Sequence, residues 1–386
     1  MKRHLLLLVA CMGMLFLGGY SLDTGDTVEA QEASVIVRLS VSSEGVEGNN
    51  YSGGGAVSVD GRFVAFVSNA SNLVPGDTNG YSDVFVRDLA QGTTERVSLT
   101  ATGQQNPSLS DLDGMSGDAH YVGFSTNARL STVDTDNFFD VYIRDRQLNV
   151  TSLVSVGPSG QQANDYVTGN ALSPDGRYIL LFTEATNWAT GDMVLTGDIF
   201  VRDLFLETTT LASAKWTGGP GNNDSSTGDI SDDGRFVVFA STSSNLTPDD
   251  TDIVSDIFLR DMVAGTTTLI SVSLAGDSAS GEAPSISADG RYIAFASTAA
   301  NIVPNDSNGM ADIFVYDRQT DTFELVSVTS TDGQANHVSN HAVVSSDGRY
   351  VSFSSRASNL VPGITNTDVF RAYLRDRDTG VTEAIA

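Results

Sequence analysis

Apolar residues fall in short runs along this chain, such as Phe63-Val64-Ala65-Phe66, Ile179-Leu180-Leu181-Phe182 and Phe236-Val237-Val238-Phe239. Gly, Asp, Asn, Ser and Thr bracket each run. The runs are rich in Val, Ile, Phe and Tyr, as buried strands are, and no segment shows a useful helical period. The one longer apolar stretch lies near the start, over residues 5–18.

The strand candidates recur at a fixed period. Asp60-Gly61-Arg62-Phe63 returns as Asp175-Gly176-Arg177-Tyr178, Asp233-Gly234-Arg235-Phe236, Asp289-Gly290-Arg291-Tyr292 and Asp347-Gly348-Arg349-Tyr350. A degenerate copy reads Asp118-Ala119-His120-Tyr121. The leading Asp positions are 60, 118, 175, 233, 289 and 347, so the steps are 58, 57, 58, 56 and 58. A second phrase runs in phase, from Val84-Phe85-Val86-Arg87-Asp88 to Ala372-Tyr373-Leu374-Arg375-Asp376.

Each unit holds four strand candidates. In the fifth they are residues 283–287, 292–297, 312–316 and 322–329, with Asp289-Gly290 as a tight turn. Six such four-stranded antiparallel sheets bury their faces by radial stacking, which predicts an all-β, six-bladed β-propeller over residues 31–386. Phe66, Phe124, Phe239, Phe295 and Phe353, with Leu181 as the sixth, are expected at equivalent buried positions. Residues 35–43 read like an outer strand expected to complete the sixth blade.

The signature Ser-x-Asp-Gly-Arg-aromatic-Ile/Val-x-Phe, clearest from Ser287 to Phe295 and from Ser345 to Phe353, resembles the TolB-like propeller repeats. These are WD-like repeats without the Trp-Asp dipeptide. The propellers of prolyl-oligopeptidase-like enzymes are similar. Six units occupy nearly the whole of residues 31–386, leaving no room for a hydrolase domain.

Composition narrows the partners. Acids outnumber Lys plus Arg by 48 to 21, a formal net charge of −27. That excludes a nucleic-acid binder, which needs a basic footprint. Lys2, Arg3 and His4, the apolar stretch, and Val28-Glu29-Ala30 before Gln31 read as a signal peptide over residues 1–30. An exported chain follows, periplasmic, extracellular or at the cell surface, without a membrane span once the signal is removed. Cys11 is the only cysteine, so the exported chain holds no disulfide.

Strands alternate in direction, so the turns joining strands one to two and three to four share one end of each blade. That end gathers most of the Arg residues, many beside an Asp, which reads as local ion pairing. The loops joining strands two to three, and each blade to the next, share the other end. There, Gly103-Gln104-Gln105-Asn106, Gly160-Gln161-Gln162-Ala163-Asn164 and Gly333-Gln334-Ala335-Asn336 repeat an amide theme. Such loops suit sugar or peptide binding, or turns that satisfy their own backbone.

The loops between strands two and three carry the sharpest chemistry. Four repeat Asp-x-Asn/Asp-x-x-x-Asp: Asp77, Asn79 and Asp83; Asp134, Asp136 and Asp140; Asp250, Asp252 and Asp256; Asp306, Asn308 and Asp312. Closely spaced side-chain oxygens suit a hard cation such as Ca²⁺, and the pattern resembles a shortened calcium loop of integrin-type propellers. Asx-turn chemistry explains the same residues without a metal. The third loop keeps Asp192 and Asp198, and the sixth only Asp368.

No nucleophile phrase or helical His pair is present. The reading therefore expects no enzyme, but a binding or scaffolding propeller, calcium-stabilised in the metal reading of its loops, that engages a protein or glycan on its long-loop face. The alternative is an envelope polysaccharide-active enzyme, a glycoside hydrolase or lyase, with carboxylates at the channel mouth. In that reading Trp188 and Trp216 serve as sugar platforms.

Overall fold

The apolar runs form strands that are buried along most of their length. Phe236–Ser241 and Asp198–Asp203 are buried at every position, so their sequences are continuous rather than alternating. A computed structural model describes residues 6–10, 14–18, 35–192, 195–365, 367 and 369–385, with side chains from Val37 onward. Among them there is no helix. Six antiparallel four-stranded blades span residues 52–96, 111–153, 167–211, 225–269, 282–325 and 339–384, each with its strands in chain order. This is the six-bladed β-propeller that the repeat predicts.

Chain contacts divide the molecule into two compact units. One comprises Met1–Ser155 with Pro174–Gly176 and holds the first two blades. The other comprises Val156–Ser173 with Arg177–Ala386 and holds the remaining four.

The fifth blade shows how the pattern works. Its strands are Glu282–Ile286, Tyr292–Ser297, Asp312–Asp317 and Thr322–Leu325. Phe295 lies opposite Phe314 in register, with ring centroids 5.9 Å apart. The same cross-strand pair recurs as Phe66–Phe85, Phe124–Tyr142, Phe239–Phe258 and Phe353–Tyr373. In the third blade Leu181 faces Phe200, and Trp188 meets Phe200 edge-on. All six predicted core positions are buried. The fourth strand ends at Leu325, short of the expected 329, because the chain there turns back and Val328 bridges to Gln334.

One terminal expectation is corrected. The sixth blade is completed by its own Val381–Ala384, which pairs along Arg371–Asp376. Val35–Arg38 pairs instead with Met14–Gly18, which also pairs with Leu6–Ala10. The sixth unit already supplies four strands, so its outer ladder is taken. Most of residues 1–30, and with them the proposed cleavage site, lie outside the described residues.

The Asp-Gly-Arg-aromatic phrase is a turn whose every residue has a partner. In the fifth blade Ser287 Oγ donates to Asp289 at 2.7 Å, and the Tyr292 amide donates back to Ser287 Oγ at 2.9 Å. Arg291 reaches Asp317 at the end of the third strand through Nε at 2.8 Å and Nη2 at 2.7 Å. Arg62–Asp88, Arg177–Asp203, Arg235–Asp261 and Arg349–Asp376 repeat this pair, and His120 replaces Arg against Asp145 at 2.8 Å. The hydrogen bonds from Arg235 and Arg349 hold Asp261 and Asp376 at about 2. Local ion pairing is thus what most of these turn arginines do. The arginines within the third strands differ: Arg87, Arg144, Arg202, Arg260 and Arg375 donate to the Thr opposite them on the fourth strand.

The turn glycine has two reasons to be glycine. Gly290 sits at φ +70°, and a Cβ there would lie 2.4 Å from Cδ2 of Phe236, the signature aromatic of the preceding blade. Gly348 stands in the same way against Tyr292. The phrase therefore stitches blade to blade. Gly290→Ala should cost about 2 kcal/mol from left-handed strain and ring displacement together. Denaturant unfolding measures it, and a neutral effect would refute the close packing.

Candidate functional site: the loops between strands two and three

In the first five blades these loops end in an Asp that caps the third strand. Ser98 donates to Asp83 at 2.6 Å, Ser155 to Asp140 at 2.5 Å, Ser213 to Asp198 at 2.5 Å, Ser271 to Asp256 at 2.8 Å and Ser327 to Asp312 at 2.6 Å. That leaves the second carboxylate oxygen facing the loop. All five Asp residues are at most 2% exposed. How each loop satisfies the second oxygen separates them.

In the first loop, donors fill the space. Asp83 Oδ2 receives Arg96 Nη1 at 3.1 Å and Gln105 Nε2 at 3.2 Å, with Asn79 Nδ2 at 3.4 Å. Asp77 Oδ1 receives Gln105 Nε2 at 2.9 Å. In the fifth-blade loop, Asp312 Oδ2 receives Asn308 Nδ2 at 2.6 Å and Gln334 Nε2 at 3.1 Å, and Gln334 also donates to Asp306 at 2.6 Å. The amide theme of the interblade loops has a role that neither sequence reading named. Gln105 and Gln334 cross to the neighbouring loop and donate hydrogen bonds to its carboxylates.

Among the described residues, two carboxylate trios place ligand atoms within 4.8 Å of one another: Asp134, Asp136 and Asp140, and Asp250, Asp252 and Asp256. Asp134 already accepts the Tyr142 hydroxyl at 2.7 Å. In the fourth-blade loop, Asp250 Oδ2 and Asp256 Oδ2 are buried without a hydrogen-bond partner. Burial pushes the Asp256 carboxyl up to about 7, with Asp250 and Asp252 adding to the rise. Asp198 in the third loop is likewise pushed up to about 7 by burial, then by Asp192 and Asp224. Val194 and Asp368 lie outside the described residues.

The Asx turns that the sequence offered as the metal-free reading are present, and they carry an apolar residue which that reading missed. The middle Asx of each repeat makes an Asx turn: Asn79 accepts the Tyr81 amide at 3.0 Å, Asp136 that of Phe138 at 2.8 Å, Asp252 that of Val254 at 2.7 Å, and Asn308 that of Met310 at 2.7 Å. Each turn holds an apolar side chain in solvent, with exposures of 49%, 46%, 50% and 41% in that order. The signal was present in the sequence: one large apolar residue always stands two before the closing Asp.

The sugar-platform reading loses one of its residues. Trp188 is buried against Phe200, while Trp216 is 58% exposed. His337 accepts the Val338 amide through Nδ1, and His341 sits at φ 53° where the first strand of the sixth blade bulges. His120 serves the turn described above.

No protein-family model matches the chain. No curated protein matches it in sequence. Solved structures do. TolB from Acinetobacter baumannii aligns over 78% of this chain and 58% of its own, at 16% identity and a TM-score of 0.44. The β-propeller domain of the Trilobed protease from Pyrococcus furiosus aligns over 87% of this chain and 85% of its own, at 12% identity and a TM-score of 0.56. That domain is described as having an open velcro topology. Pyrococcus horikoshii acylaminoacyl peptidase aligns over 87% of this chain and 46% of its own, at 14% identity and a TM-score of 0.53. The chain thus spans 58% of that TolB and under half of that peptidase. The expectation that the chain is no enzyme is corrected here, because propellers of this build occur within a protease and a peptidase. The likenesses to the protease and peptidase propellers establish the fold alone: the chain is a β-propeller.

Proposed function

We propose that this chain is an exported protein-recognition propeller that holds a basic protein partner on its long-loop ends. The repeated exposed apolar residue on an Asx turn carries the reading. Folding normally buries such side chains, and clustered exposed ones mark interaction surfaces. In the four-blade unit, Val254 and Met310 on the Asx turns, Ile253 beside Val254, and Trp216 and Leu274 on interblade loops are all exposed. Anchors of this kind, surrounded by polar loops, are the make-up of protein interfaces.

Charge supports a basic partner. The chain is strongly acidic, and the turn arginines are matched by their own carboxylates. A basic partner is steered by that field, so its association rate should fall as salt rises. Among the described residues no helix is long and apolar enough to cross a membrane. The basic, apolar and small-residue succession over residues 1–30 supports export.

The test uses immobilised chain and envelope extract, with a triple variant Trp216→Ser, Val254→Ser, Met310→Ser. A protein retained by the parent should be lost from the triple variant and kept by Phe205→Ser, a change at the opposite end of the third blade. Its association rate should fall with added salt. Equal retention by the triple variant, or a salt-independent rate, refutes the proposal.

A further inference from the structure

The four Asp-x-Asx loops share one backbone plan but differ in what stands at three positions around the closing Asp. In the first loop these are Asn79, Gln105 and Arg96, all of which donate to its carboxylates. In the fifth-blade loop Asn308 and Gln334 donate in the same way. In the fourth-blade loop the corresponding residues are Asp252, Ser278 and Leu269. The amide donors are replaced by a third carboxylate and a hydroxyl, and the guanidinium by a hydrocarbon.

The result is an acidic pocket lacking the positive or donor group that its siblings have. Asp250 and Asp256 are 1% and 0% exposed, and the Oδ2 atom of each is buried with no donor. Their other oxygens are used: Asp250 Oδ1 accepts the Asp252 amide at 3.2 Å, and Asp256 Oδ1 accepts Ser271. Asp252 accepts Ser278 Oγ at 3.1 Å and the Val254 amide. Leaving two buried carboxylate oxygens unsatisfied costs far more than leaving them in water.

We propose that the fourth-blade loop binds one calcium ion through Asp250, Asp252 and Asp256, the ion taking the place of the amide donors that fill the equivalent loops of the first and fifth blades. The ligands are all oxygen, which selects a hard cation over zinc or copper. Their atoms lie within 4.8 Å of one another. Three carboxylates held this close suit calcium, whose flexible shell takes many protein oxygens, better than magnesium, which keeps most of its waters. Three side chains leave room for backbone carbonyls and water, which sets an affinity of about 10⁻⁴–10⁻³ M, as in extracellular modules. The site does not depend on the loop face engaging a partner, since it is argued from carboxylates inside the loop.

The experiment is calorimetric titration of chelator-treated protein with calcium, with magnesium as control, together with thermal unfolding. The parent should bind one calcium ion, and its midpoint should rise by roughly 3–6 °C in 10 mM calcium. The double variant Asp252→Asn, Ser278→Gln rebuilds the donor set of the fifth-blade loop. It should fold, show a calcium-independent midpoint and give no titration heat. No calcium binding by the parent overturns the proposal without recourse to any variant. An equal response to magnesium, or undiminished binding by the double variant, overturns it as well.

Discussion

Truncating Phe295 to Ala should lower the stability of the chain by about 3–5 kcal/mol, the cost of deleting a buried aromatic ring from a packed core. The ring is fully buried, stacks across the sheet on Phe314 and meets the edge of Phe323. It belongs to a cluster in which Val238, Ile257 and Leu259 of the fourth blade pack with Ile293 and Phe314 of the fifth. The deletion therefore opens a cavity between blades rather than at a surface that can collapse. Phe205, 82% exposed, is the matched control, and its truncation should change stability by less than about 0.5 kcal/mol. Denaturant unfolding of both variants gives the comparison. A loss below about 1 kcal/mol at Phe295 would show that the six equivalent positions do not carry the core.

Replacing Asp198 with Asn should stabilise the chain at pH 8 and leave it nearly unchanged at pH 4. Asp198 is 2% exposed and accepts Ser213 Oγ through one oxygen. Burial first, and then Asp192 and Asp224, raise its carboxyl to about 7, against about 3.9 in an unfolded chain. A raised acid favours the folded state while both states are protonated, and that contribution is lost as pH rises through the folded value. The parent should therefore lose stability between about pH 4 and pH 7. The shift of about three units corresponds to roughly 2–4 kcal/mol once the site ionises. Asn keeps the acceptor for Ser213, carries no charge and presents an amide to the neighbouring carboxylates. Asp261 and Asp376, held at about 2, act in the opposite sense, and their contribution is lost only as pH falls below the ordinary carboxylate range. Unfolding free energies of parent and variant across pH 4–8, in one chelating buffer, decide the matter. A difference that does not grow with pH rules out an ionised, buried Asp198.

Much of the architecture was legible because its causes are local. A turn needs Gly at positive φ, a blade needs opposed apolar residues on neighbouring strands, and both recur whenever the unit recurs. The period near 58 therefore led to six blades, and Phe295 could be placed at a buried position before any coordinate, whereas its partner Phe314 came with the strand register. Ion pairing of the turn arginines was readable in general terms, but their partners stand at the end of the third strand, which meets them because the second and third strands pair along their length. The apolar residue of each loop was readable too, but only its exposure gives it meaning. Tyr81 and Val254 look like minor core residues until the Asx turn is seen to hold them in solvent.

The tertiary structure decided what the repeats share least. Four loops with one spacing look equivalent in sequence, yet the groups that satisfy their carboxylates come from elsewhere in the chain. Arg96 arrives from the fourth strand, and Gln105 and Gln334 from the interblade loops, each more than ten residues from the Asp it meets. Whether Leu269 or Arg96, and Ser278 or Gln334, faces a carboxylate becomes a chemical fact only when those segments fold against the loop. The same holds for Trp188, buried by Phe200, and for the sixth blade, completed by Val381–Ala384 rather than by residues 35–43. Repeat spacing and turn chemistry are short-range and written in the sequence, whereas the charge balance of a buried carboxylate depends on every group that packing brings within a few ångströms.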